Sequence, residues 1–168
     1  MSEDKPENLD EENQPEAANP SIEEGAKFAL QRIYIKDSSF ESPKSPDCFR
    51  GQWQPKVNME LNSSNRTIEE GLYEVILQLT ITAKIDEDDE VVYLTEVQQA
   101  GIFHIQGLSD VALKQTLGSF CPSVLFPYAR EAVDSLVIKG SFPALMLAPV
   151  NFDALYEHAK NQQAEPTH

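Results

Sequence analysis

From Lys27 onward, apolar and polar residues alternate with a period of two in several separate runs. That spacing sets one face of a β-strand against a core and turns the other toward water. Phe28, Leu30, Ile33, Tyr34 and Ile35 mark a first strand, although its two faces do not sort cleanly. In the second, Val57, Met59 and Leu61 alternate with Asn58, Glu60 and Asn62. In the third, Tyr73, Val75, Leu77, Leu79, Ile81 and Ala83 share a face opposite Glu74, Gln78, Thr80 and Thr82. The fourth runs from Val91 to Ile105, with Val91, Tyr93, Val97, Phe103 and Ile105 on one face beside Thr95 and Gln99. A turn from Asn62 to Gly71 and an acidic turn, Asp86-Glu87-Asp88-Asp89, separate the last three strands. Short connections of this kind imply antiparallel pairing, and clean alternation implies that only one face is covered. A longer connection, Asp37 to Pro55, is broken by Pro43, Pro46 and Gly51 and carries Phe40, Phe49 and Trp53. Long ordered loops in compact domains are usually functional.

After Gly107 the period becomes helical. Ser109 fits an N-cap for a short helix ending near Gly118. Pro122 opens a longer helix striped by Leu125, Tyr128, Ala129, Ala132, Val133, Leu136 and Val137, with Gly140 at its C-terminal stop. A third helix starts at Asn151, where Asp153 in the first turn complements the helix dipole. Strands followed by helices predict an α+β domain over residues 25–160, with a frayed C-terminal tail at 161–168.

Charge changes this picture at the N-terminus. The chain carries a formal net charge of −15. Residues 1–24 hold nine acids against Lys5, no aromatics, and prolines at 6, 15 and 20. Such a segment buries too little apolar area to offset its conformational entropy, and a disordered acidic tail is expected. The remainder is acidic too, which disfavours nucleic acid and anionic lipid as partners. No run approaches the ~20 apolar residues of a membrane helix, so no direct membrane insertion is expected. Met1 to Leu9 lacks the apolar core of a secretory signal, and Cys48 and Cys121 lack metal spacing. A reducing, cytoplasmic setting with two plain thiols is the expectation.

Catalytic chemistry needs a constellation, and none stands out. His104, His158 and His168 have no partner at ligand spacing, and there is no G-x-S-x-G, C-x-x-C or glycine-rich phosphate loop. Neither a cofactor nor a metal is expected, and the chain reads as a non-enzyme. Cys121, before Pro122 at a helix start, is either a small buried residue or a thiol activated there. The acids Glu69, Glu70 and Asp86 to Asp89 read as solvated charge in turns.

What the sequence offers instead is surplus apolar surface. The stretch from Gly140 to Val150 is a loop by its glycine and prolines, yet it holds Phe142, Leu145, Met146, Leu147 and Val150. With Trp53 and Phe40 these residues form either an exposed patch suited to protein interaction or a plug that closes the core. The wetter face of the fourth strand mixes Val92, Leu94 and Ala100 with Glu96 and Gln98, which suits either subunit packing and docking of a basic partner or plain solvation.

Several strings resemble the SecB family. They are Trp53-Gln54-Pro55, Tyr73-Glu74-Val75, Glu96 to Phe103, Leu125 to Glu131, Phe142-Pro143 and Leu147 to Leu155, in unbroken order from Phe28 to Glu157. The resemblance implies a four-stranded antiparallel sheet with helices packed on one face, assembling as a homotetramer, a dimer of dimers. It implies an ATP-independent molecular chaperone that binds unfolded precursor polypeptides, keeps them translocation-competent and delivers them to the export motor SecA. Carried over by position, the SecA surface is Asp37, Glu41, Leu94 and Glu96. Thr95, Val97 and Gln99 fall where the family places oligomer-interface residues, Thr95 replacing a cysteine. The client groove would comprise Trp53, Val57, Met59, Leu61, Phe142, Leu145 and Leu147, flanked by Tyr156 in place of a phenylalanine.

Overall fold

The computed structural model describes residues 25–85 and 90–164. The acidic tail, the Asp86–Asp89 turn and the last four residues lie outside them. Four antiparallel strands form one sheet in the order β1-β4-β3-β2: β1 (Lys27–Glu41), β2 (Lys56–Glu69), β3 (Leu72–Ile85) and β4 (Glu90–Gln106). Consecutive strands β2, β3 and β4 are neighbours, and β1 returns to pair with β4. The connection 42–55, with a 3-10 turn at Asp47–Arg50, therefore links the two edges of the sheet.

Two strands run further than their patterns predict. β1 continues through Asp37 to Glu41, five residues expected in the loop, because bulges at Leu30/Arg32 and Ile35/Asp37 reset its phase. An inserted residue flips every later side chain to the other face, which is why the strand's periodicity looked mixed. Beyond the second bulge, Asp37 to Glu41 pair in register with Gln98 to Leu94, and Thr95 Oγ1 donates to Ser39 O at 2.9 Å. β2 likewise runs through the polar stretch Asn62 to Glu69, expected as a turn, because β3 pairs with it along its length. On an edge strand one face can stay wet, so Asn and Ser are tolerated there. Only Glu70 and Gly71 remain to reverse the chain, and Gly71 does so at φ +75°, where L side chains are strained.

The helices form one nearly continuous run. α1 (Asp110–Gln115) is capped by Ser109 Oγ, which accepts from Ala112 N at 3.3 Å. It does not stop at Gly118: a π-helical turn, Thr116–Phe120, carries it into α2 (Cys121–Lys139). α2 packs across β3 and β4, burying Leu125, Ala129, Val133 and Val137 against Leu77, Leu79, Val97 and Phe103. Tyr128, expected in that stripe, is instead half exposed. Cys121 is buried, and burial pushes its thiol up to about 12, which keeps it protonated and inert. α3 (Phe152–Ala164) begins with Asn151 Oδ1 accepting from Ala154 N at 3.0 Å. It runs on through 161–164, residues expected to fray.

Candidate functional site

Phe142 sits at the centre of an aromatic cluster, with ring centroids 5.0 Å from Tyr93, 5.1 Å from Trp53 and 5.3 Å from Phe49. It is only 5% exposed, so this residue closes the core. The rest of its loop behaves differently. Leu145 and Leu147 are half-buried against the same core, while Met146 between them is 83% exposed at φ +50°. Leu145 N donates to Asp134 Oδ1 of α2 at 2.9 Å, tying the loop to the helix. The loop thus divides residue by residue, Phe142 closing the core and Met146 facing solvent.

The neighbouring apolar surface lies on β2. Val57, Met59 and Leu61 pair with Ala83, Ile81 and Leu79, and so share the helix-side face of the sheet. Yet Val57 and Met59 remain 41% and 38% exposed, because α2 lies over the central strands and not over this edge. Trp53 leads into β2 and is half-buried against the core. Tyr156 of α3 lies against the π-helical turn: a Cβ on Gly118 would come within 2.6 Å of its ring. Gly118 leaves the space that the Tyr156 ring occupies.

The opposite face of the sheet carries the acids. Across β1 and β4, Asp37 stands opposite Gln98, Ser39 opposite Glu96, and Glu41 opposite Leu94. Directly opposed residues of an antiparallel pair share a face, so Asp37, Glu41, Leu94 and Glu96 form one surface. Glu60, opposite Thr80 and in the row of Glu96, extends it, a neighbourhood that only strand register reveals.

Further along that face stands a group not foreseen from the sequence. Glu74, expected as a wet-face residue, is 2% exposed. Its carboxylate accepts from Lys36 Nζ at 2.8 Å, from the Tyr34 hydroxyl and from Arg66 Nε. These bonds, Lys36's foremost, hold the acid down at about 2. Burial, then the bond to Glu74, pushes Tyr34 up to about 12. The group joins both edge strands to β3 across Ala100, a fully buried residue of β4. No cluster of three or more His, Cys, Asp or Glu able to hold a metal occurs among the described residues. No helix among them is long and apolar enough to cross a membrane.

Comparison with known proteins fixes the lineage of this arrangement. The family model described as preprotein translocase subunit SecB matches residues 21–163. The chain belongs to the SecB family. The protein-export protein SecB of Stutzerimonas stutzeri is 60% identical over 144 residues, covering 84% of this chain and 87% of that one. That of Pseudomonas syringae pv. syringae is 54% identical over 156 residues, covering 93% and 94%. Among solved structures, the Mycobacterium tuberculosis SecB-like chaperone Rv1957, in complex with a peptide from the HigA1 antitoxin, matches with a TM-score of 0.61. At 15% identity over 73% of this chain and 90% of that chain, it bears out the fold alone.

Within this SecB-family fold, Thr95, Val97 and Gln99 do not reach a surface. They face the helices, opposite Ile81, Leu79 and Leu77, and are buried within the protomer. Gln99 Nε2 donates to Tyr34 O at 3.0 Å, and Thr95 bonds Ser39, so both brace β1 from within. Asp134, which binds the Leu145 amide, is a neighbour of the loop that no pattern singled out, since its partner lies on another element, whereas Phe49 stood out only as an aromatic of the long connection.

Proposed function

We propose that this SecB-family protein is an ATP-independent holding chaperone of the cytoplasm that keeps export precursors unfolded and passes them to SecA. The observation that carries this reading is the uncovered apolar stripe of β2, Val57 and Met59, on the face that holds Trp53 and the Leu145–Leu147 loop. An extended apolar client segment laid on it loses water-exposed area, at about 25 cal/mol per Å² before ordering costs. Weak sites of this kind gain avidity when several engage one long chain. Binding needs no covalent step and no nucleotide.

A dimer of dimers accompanies this function. Phe28, Leu30 and Ile35 of the edge strand β1, and Tyr128 and Ile138 of α2, are large apolar side chains left exposed on the single protomer. Apolar patches of this kind favour self-association. The acidic sheet face, Asp37, Glu41, Leu94 and Glu96, is left free for SecA.

The test is suppression of aggregation of a denatured precursor by the wild type and by Met59→Asp and Leu147→Asp. Loss of suppression in both, with an unchanged tetramer mass by analytical ultracentrifugation, supports the groove. Full suppression by both variants overturns it.

A further inference from the structure

The loop that follows α2 is held in an unusual way. Residues 143–150 form neither helix nor strand, and Pro143 and Pro149 contribute no N–H. Among the described residues, the one hydrogen bond made by this stretch is Leu145 N to Asp134 Oδ1, at 2.9 Å. Ser141 and Met146 both adopt left-handed backbone, at φ +65° and +50°. L side chains disfavour that region, so local preference does not maintain the loop's course. What maintains it is the seating of Leu145 and Leu147 on the core and the bond to Asp134. Asp134 also lies close enough to the aromatic cluster for its charge to add to burial in raising the Tyr93 hydroxyl.

We propose that Asp134 is a positioning residue for client binding: its carboxylate latches the Leu145 amide and fixes the apolar loop as one wall of the client site. The inference rests on the groove reading above. A wall already ordered costs less to bind against than one ordered by the client. Without the latch, Leu145 and Leu147 are free to leave the core, and the client must supply their ordering. A charged acceptor makes one of the stronger hydrogen bonds, so its loss is large enough to measure.

The experiment compares wild type, Asp134→Ala, Asp134→Asn and Leu147→Asp in the full-length protein. Three quantities are read: hydrogen exchange at the Leu145 amide, emission of Trp53, and affinity for a reduced, alkylated, permanently unfolded polypeptide. Trp53 is the single tryptophan of the chain, and its ring lies 5.1 Å from Phe142. Asp134→Ala is expected to speed Leu145 exchange, shift the emission and weaken client affinity about tenfold, or 1.4 kcal/mol. Asp134→Asn keeps an acceptor oxygen and is expected to restore most of all three. A merely structural residue would lower the melting temperature without this rescue pattern. Unchanged Leu145 exchange in Asp134→Ala overturns the latch. Faster exchange with unchanged affinity overturns the positioning role, and Leu147→Asp then tells the two readings apart. Loss of affinity in Leu147→Asp leaves the groove standing, whereas its retention removes the groove as well.

Discussion

Gly140 lies against the ring of Phe40 so closely that a Cβ on the glycine would stand 2.4 Å from Phe40 Cζ. The sequence places this glycine as a helix stop, where a left-handed conformation is the usual reason for it. Its φ is −74°, so freedom of backbone is not what the position requires. Space is. Phe40 in turn stacks on Tyr93 with centroids 5.7 Å apart, and so cannot move without disturbing the aromatic cluster. Gly140→Ala is expected to destabilise the fold by about 1–3 kcal/mol, the usual cost of overpacking. Urea denaturation followed by Trp53 fluorescence measures this, and a variant as stable as wild type contradicts the contact.

A second glycine works the same way in the π-helical turn that leads into α2. Gly118→Ala is expected to cost about 1–3 kcal/mol, because the new methyl meets the Tyr156 ring. Tyr156→Ala removes that obstacle. In the double variant the added cost of the alanine is expected to shrink to a few tenths of a kcal/mol, a coupling that a double-mutant cycle reads directly. Additive costs would mean that the two residues do not meet.

These glycines mark a boundary in what the sequence makes legible. The core faces of β3 and β4, most of the α2 stripe, the cap at Ser109 and the helix start at Asn151 follow from period and local chemistry; Tyr128 leaves the stripe for the surface, and Glu74, Val92 and Ala100, expected on the wetter faces, are buried. Asp37 to Glu41 and Asn62 to Glu69 do not follow from period, because their strand character comes from partners distant in sequence and, in β1, from two bulges that break the period. The site divides likewise. That the loop from Gly140 to Val150 is over-apolar is visible in its composition. That Phe142 is spent inside while Met146 points out is decided by three-dimensional packing against Tyr93 and Trp53. Assignment of the acidic face came from family resemblance, and register then showed that its four residues are neighbours.

Glu74 makes acid stability testable. Its folded-state value, about 2, lies below the ordinary 4.5 of an unfolded glutamate. A depressed carboxylate contributes stability that is fully present above the unfolded value and disappears as pH falls toward the folded one. The window is therefore roughly pH 4.5 down to 2. Glu74→Gln is expected to lower stability at pH 7 and to flatten the pH dependence within that window, so the two proteins converge near pH 2. Tyr34 acts at the opposite extreme: its raised value, about 12, contributes stability that is intact below 10 and lost as pH rises through 12. Melting temperatures across pH 2–7 decide the matter for Glu74, and parallel curves for the two proteins would falsify its assignment.

The acidic face makes a prediction that depends on salt. Glu96 shares its row with Ser39 and Glu60, and lies between the rows of Asp37 and Glu41. A basic segment of SecA docking there would meet several carboxylates at once, and exposed charges act mainly through steering and specificity. Glu96→Lys replaces attraction by repulsion at the centre of that array. Its affinity for SecA is expected to fall about tenfold or more at low ionic strength. At several hundred millimolar salt the difference should narrow, because the Debye length there is only a few ångströms. Glu157→Lys on α3 changes net charge by the same amount away from the sheet, and is expected to have little effect. If Glu157→Lys weakens SecA binding as much as Glu96→Lys, net charge alone governs docking and the sheet face has no special part in it. If Glu96→Lys binds as well as wild type at low salt, SecA docks elsewhere on the protein.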